Sequence, residues 1–311
     1  MKILYFLESI RTPWLDWIMS AITHIGSETV FMVLGIFVFW CVSKQCGYYL
    51  LSVGFLGNVI NQFLKLLFRI PRPWVQDPDF TIVESARADA TGYSFPSGHT
   101  QNVVGTFGGI ARYTKRRWIR IVSIVILVLV SFSRMYLGVH TPLDVGVAFV
   151  SALVLVFLLY PLMEKIRRHP NLLPVLLAMI FLCSVGYVVF VSLYSFPADV
   201  DADNLLHGTE NAWKLAGAAG GLLISAWIEQ RYIRFETEAV WWVQIIKLAV
   251  GLGLLLGVKA GLKEPLIALF GNAGVAGAVR YALMVLLAGA LWPMAFKPLR
   301  RLGEKKTPAA R

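Results

Sequence analysis

Apolar runs of helix length recur along almost the whole chain, at about 28–43, 47–68, 98–113, 119–138, 142–161, 172–194, 212–229, 240–260 and 276–296. A bilayer offers no water to the peptide groups, so a spanning chain must pair them within helices or a closed barrel. Runs this long have the length of helices rather than of strands. The expected fold is all-α, a polytopic membrane bundle of about nine transmembrane helices. The third run is short and the ninth follows a glycine-rich stretch, Gly271 to Gly277, so eight is the alternative count. An apolar content of 57% agrees and excludes an ordinary soluble domain.

A net charge of +11 invites a nucleic-acid reading. The basic residues, however, sit in short connections that fall on one face: Lys44, then Arg112 to Arg120, then Lys165 to Arg168, then Lys297 to Lys306. The loop Ser195–Asn211 on the other face carries Asp199, Asp201, Asp203 and Glu210 and no lysine or arginine. By the positive-inside rule the basic face is cytoplasmic, which explains the charge without DNA or RNA.

Four segments follow. Residues 1–27 read as an interfacial segment: Glu8, Arg11 and Asp16 interrupt any signal-like core, and Trp14 and Trp17 lie beside these charges. Residues 28–168 form a five-span core, 169–296 an accessory bundle, and 297–311 a basic cytoplasmic tail. Cys41, Cys46 and Cys183 show no paired spacing and read as small packing residues, not as a disulfide or zinc framework. Spacings such as Gly105…Gly109 and Gly217…Gly221 favour close packing within the bundle over a dimer contact, and no oligomeric state follows.

Three motifs sit at the ends of these runs, and the topology brings all three to the extracytoplasmic face. Lys65 and Arg72 lie nearly two helical turns apart, with Pro71 and Pro73 stopping the helix; Arg69 is a candidate assistant. Pro96-Ser97-Gly98-His99 opens the third run, with Ser97 as N-cap, Gly98 allowing close backbone approach to an oxyanion, and His99 placed to protonate a leaving oxygen. Ser133-Arg134 closes the fourth run. His140 precedes Thr141-Pro142-Leu143-Asp144, which reads as a helix start with an acid in its first turn. Asp144 is thus a capping candidate. It is equally placed to accept a proton from His140, leaving the other ring nitrogen free to attack phosphorus. Three cations, two histidines and a carboxylate form a set suited to holding a phosphate and breaking its ester.

Lys65, Arg72 and Pro73; Pro96 to His99; and Ser133, Arg134, His140 and Asp144 together resemble the three-part signature of the type 2 phosphatidic acid phosphatase superfamily. The likeness covers residues 61–146; the later spans lie outside it. It implies a PAP2-type catalytic core working without metal or cofactor. His140 would be the nucleophile forming a phosphohistidine, Asp144 its orienting partner, and His99 the acid for the leaving group and base for water. Lys65, Arg72 and Arg134, with backbone N–H groups at Ser97 and Gly98, would bind the phosphate.

The site lies at the bilayer surface, flanked by Trp74, Phe80, Tyr93 and Phe95, which are candidates either to guide a lipid chain or to form an aromatic belt. The expected partner is a membrane lipid, either a lipid phosphate or a polyprenyl diphosphate, with phosphate as product. A soluble sugar phosphate is the alternative substrate, and transfer to an acceptor hydroxyl is the alternative reaction. A bacterial plasma membrane with an outward-facing site is expected; an endoplasmic reticulum with a lumenal site has the same topology. Asp199, Asp201, Asp203 and Glu210 also match ligand positions of a calcium loop, but Asn204 stands where that loop wants Gly, and a solvated acidic loop is the preferred reading.

Overall fold

The computed structural model describes residues 1–304, so residues 305–311 of the expected tail lie outside the described residues. Among the described residues the fold is helical throughout, without strands. In order the helices are α1 Lys2–Ser9, α2 Pro13–His24, α3 Glu28–Phe37, α4 Lys44–Phe68, α5 Pro73–Gln76, α6 Gly98–Val103, α7 Gly109–Tyr113, α8 Arg117–Tyr136, α9 Pro142–Arg168, α10 Leu172–Leu193, α11 Ala202–Ile228, α12 Trp241–Gly261, α13 Lys263–Phe270, α14 Ala273–Leu286 and α15 Phe296–Glu304. A π turn, Val104–Gly108, joins α6 to α7.

Each of the nine apolar runs coincides with helix, and the polytopic all-α expectation holds. Six helical stretches are long and apolar enough to cross a membrane, or seven if Pro13–His24 and Glu28–Val42 form one bent span. Length and hydropathy alone do not confirm nine crossings. The α6–α7 stretch is short and interrupted by the π turn. Helix α11 begins ten residues before the expected span, so Asp203 and Glu210 join Lys214 within it. That helix also removes the calcium reading: Asp201 caps it by accepting the Asn204 N–H at 2.8 Å, and a helix cannot wrap round an ion as the loop does.

The chain forms two compact units, Met1–Met32 with Tyr49–Glu164 and Val191–Thr209, and Val33–Tyr48 with Lys165–Phe190 and Glu210 onward. In the second, Gly217 takes α11 against the Ala278 carbonyl of α14, so closely that even a methyl would collide. Lys44 pairs with buried Glu229 at 2.7 Å.

The first unit holds every candidate site residue. Tyr136, Leu137 and Val139 at the end of α8 pack with Ala86 and Ala90, while Val103, Val104, Leu127, Val130 and Ala152 tie α6, α8 and α9 together. The first 27 residues pack into the same unit. Leu4 clusters with Phe80 and Ile82, and Arg11 donates to the carbonyls of Tyr136 at 3.0 Å and Thr81 at 2.8 Å. The Tyr136 hydroxyl donates to Asp16 at 2.7 Å. Trp14 and Trp17 stay exposed.

Candidate active site

The turn between α8 and α9 fixes the third motif. Gly138 adopts φ +81°, a conformation costly for other residues, and lets the chain reverse beyond Tyr136. Thr141 then caps α9 reciprocally with Asp144. The Asp144 N–H donates to the Thr141 hydroxyl at 3.2 Å, and the Thr141 N–H donates to Asp144 Oδ2 at 2.7 Å. His140 and Asp144 are both almost fully buried.

The direct His140–Asp144 contact is loose. Nδ1 and Oδ2 stand 3.7 Å apart, beyond a good hydrogen bond. Asp144 Oδ2 instead accepts the Ser94 hydroxyl at 2.6 Å. On the other side of the ring, Arg72 Nη1 lies 3.0 Å from His140 Nε2. Guanidinium can only donate, so Nε2 carries the lone pair and the ring proton resides on Nδ1. Burial, then the charges of Arg72, Arg134, Lys65 and His99, hold the His140 pKa well below the ordinary imidazole value.

The cations divide into two kinds. Arg72 commits four of its five N–H bonds: Nε to the Gly92 carbonyl at 3.0 Å, Nη2 to Thr91 at 2.7 Å, and Nη1 to Val139 at 3.0 Å and to His140. Lys65 donates to the Tyr93 carbonyl. These two residues of the first motif therefore hold the backbone of loop 91–93 in place. Arg134 is different. It is fully buried, its Nη1 donates to Thr23 at 2.8 Å, and its Nε and Nη2 have no protein partner among the described residues. A buried guanidinium edge left open at such cost matches the fork that grips two oxygens of a phosphate.

Ser97 caps α6, accepting from the Thr100 N–H at 3.4 Å and the Thr100 hydroxyl at 3.1 Å. Its own N–H donates to the Asp144 carbonyl at 3.1 Å, which joins the second motif to the third. His99 Nε2 is buried without a partner among the described residues. A Cβ added to Gly98 would meet only Asn61 Oδ1, at 3.9 Å, so the space before its backbone is open. All eight predicted residues gather here, and Lys65, Arg72 and Arg134 lie close enough for their charges to act on one another. Arg69 turns aside, donating to the Leu66 and Leu67 carbonyls.

Sequence reasoning missed three polar neighbours. Thr23 and Ser94 arrive by tertiary contact and had no signal. Asn61 had one: it stands one turn before Lys65 in an apolar run, where a polar side chain is costly. It is 2% exposed, and neither amide atom has a partner among the described residues. The flanking aromatics pack within the loop to different extents. Phe80, Tyr93 and Phe95 are buried, and Trp74 lies beneath Arg87, because the loop needs them as its own core.

Comparison with known proteins identifies the family. Residues 45–168 match the PAP2 superfamily, and residues 213–305 match the PAP2 superfamily phosphatase transmembrane extension. The chain is 32% identical to phosphatidylglycerophosphatase B of Bacillus subtilis over 174 residues, 51% of this chain and 80% of that one. It is 34% identical to undecaprenyl-diphosphatase BcrC of the same species over 119 residues, covering 38% and 58%. With lipid A 4'-phosphatase of Bacteroides thetaiotaomicron it shares 25% over 155 residues, covering 46% and 67%. No solved structure matches. Motifs, site and similarity converge, and the chain belongs to the PAP2 superfamily, among its integral-membrane phosphatases.

Proposed function

We propose that this protein hydrolyses the terminal phosphate of a membrane lipid, either a lipid phosphate monoester or a polyprenyl diphosphate, at the extracytoplasmic face of a bacterial plasma membrane. One observation carries this reading: three buried cations, Lys65, Arg72 and Arg134, gather around His140, and the Arg134 fork stands open. The similarity to phosphatases of phosphatidylglycerophosphate, undecaprenyl diphosphate and lipid A favours a lipid over a soluble sugar phosphate.

The phosphoryl oxygens settle against Arg134, Lys65 and the open backbone at Gly98. Arg72 turns one N–H from His140 to the incoming oxyanion, which frees the Nε2 lone pair. Nε2 attacks phosphorus, the P–O bond to the leaving group, ester or anhydride, breaks, and His99, protonated once the substrate's negative charge is bound, gives its proton to the departing oxygen. Water then attacks the phosphohistidine, losing a proton to His99, and inorganic phosphate leaves. Fixed cations stabilise the charge that develops on the equatorial oxygens, usually the largest catalytic term, so the cycle needs no metal.

The test is phosphate release by detergent-purified protein with chelator present. The panel is phosphatidate, sphingosine phosphate, phosphatidylglycerophosphate, undecaprenyl diphosphate and glucose 6-phosphate. Lipid turnover that survives chelation and is abolished in His140→Ala is expected. Substantial residual activity in the variant would refute the nucleophile, and preference for the sugar would refute the lipid.

A further inference from the structure

Asp144 stands 3.7 Å from the proposed nucleophile, within ion-pair reach of a charged ring but beyond a good hydrogen bond. Ser94 supplies the missing atom. Its hydroxyl is 2.6 Å from Asp144 Oδ2 and 3.5 Å from His140 Nδ1. The directions are set by chemistry. An ionised carboxylate only accepts, so the single Ser94 proton points to Asp144. The Nδ1 proton of His140, placed there by the Arg72 contact at Nε2, is left facing a Ser94 lone pair.

We propose that Ser94 is the positioning residue that couples Asp144 to His140, in a chain running from Nδ1–H to the Ser94 oxygen and from the Ser94 O–H to Oδ2. This rests on His140 being the nucleophile. The chain locks the tautomer whose Nε2 can attack. It also stabilises the positive charge that the ring gains once the N–P bond forms, through a dipole whose far end is held by the carboxylate.

The setting of Ser94 supports an active role. It is fully buried, and its N–H donates to the Ile70 carbonyl at 2.8 Å. The three residues before it offer their carbonyls to Lys65 and Arg72. The first-motif cations, besides facing phosphate, therefore aim the loop that delivers this hydroxyl. Asp144 in turn is fixed by the Thr141 N–H at 2.7 Å, so Ser94 and Asp144 are each anchored to backbone.

The experiment uses full-length protein in detergent, with phosphate release from phosphatidylglycerophosphate resolved into kcat and KM and thermal melting recorded beside it. Variants are Ser94→Ala, Ser94→Cys, Asp144→Asn, the Ser94→Ala/Asp144→Asn double and His140→Ala. Ser94→Ala is expected to lower kcat about 10- to 100-fold with KM changed less than about twofold, the size of effect that a misplaced reacting group produces. Ser94→Cys, a weaker donor, should fall between. The double variant should be no worse than about twofold beyond Asp144→Asn, because residues acting as one unit are not additive. Retained kcat in Ser94→Ala beside a dead His140→Ala overturns the Ser94 role and spares the nucleophile. Multiplicative losses in the double variant also overturn it. An active His140→Ala removes the reading on which the proposal stands. Should Ser94→Ala not fold, an unchanged kcat in Ser94→Cys is the refuting result.

Discussion

Four N–H bonds of Arg72 end on Thr91, Gly92, Val139 and His140, whereas Arg134 gives one to Thr23 and keeps Nε and Nη2 open. Equal charges thus face unequal tasks, and lysine should expose the difference. Arg134→Lys keeps a point charge and loses the fork, so kcat/KM should fall about 100-fold, or about 2.7 kcal/mol, with little change in melting. Arg72→Lys should also lower the melting temperature, since one ammonium cannot replace a guanidinium bridging three carbonyls. Equal melting of the two variants would contradict this division. His140 supplies a pH test. Burial and the neighbouring cations depress its pKa, so the ring stays neutral, and able to attack, as pH falls through the ordinary imidazole value of about 6.5. The acid limb of kcat/KM is expected below that pH once the substrate's own ionisation near about 6 is divided out. A limb centred above 6.5 would show the site holding a protonated ring.

Helix α2 belongs to the chemistry more closely than its sequence suggests. It carries Thr23, the sole protein partner of Arg134 among the described residues, from 111 positions away. Thr23→Val keeps the shape and removes the hydroxyl. Loss of a hydrogen bond to a charged group, about 1.5 kcal/mol, should lower kcat/KM about 10-fold, and an unchanged value would make the contact incidental. What the sequence shows and hides follows from this. The three motifs were legible because charged residues at helix ends in an apolar chain need a reason, and their spacings match helical turns. Thr23 and Ser94 were not, because ordinary hydroxyl residues acquire meaning only from what folds against them. The early start of α11 was hidden in the same way. Asp201 and Asp203 read as a solvated acidic loop, yet a carboxylate at a helix start is favoured by the open N–H groups there. The π turn at Val104–Gly108 has no side-chain signature at all.

Over the whole molecule, fold class and family were legible from apolar periodicity and from three motifs, while the number of crossings was not. Length and hydropathy cannot judge a short stretch such as α6–α7 or a polar-ended helix such as α11. Labelling can. In a cysteine-free background, Asp199→Cys should react with a membrane-impermeant maleimide on intact cells, while Lys115→Cys should react only after lysis. The reverse pattern would place the site in the cytoplasm. The dispersal of the site along the chain also bears on how the protein is made. Its parts come from Thr23, from 61–72, from 91–99 and from 134–144, and synthesis runs from the N-terminus. Lys65 and Arg72 enter the nascent protein before Asp144, the acid whose charge acts on them, whereas Arg134 follows Asp89, the acid whose charge acts on it. Until α9 follows, Lys65 and Arg72 lack that counter-charge, and the Thr141 N–H lacks its carboxylate acceptor. The site is therefore complete only once α9 has been made, and a chain that stops before residue 144 carries its cations without that carboxylate.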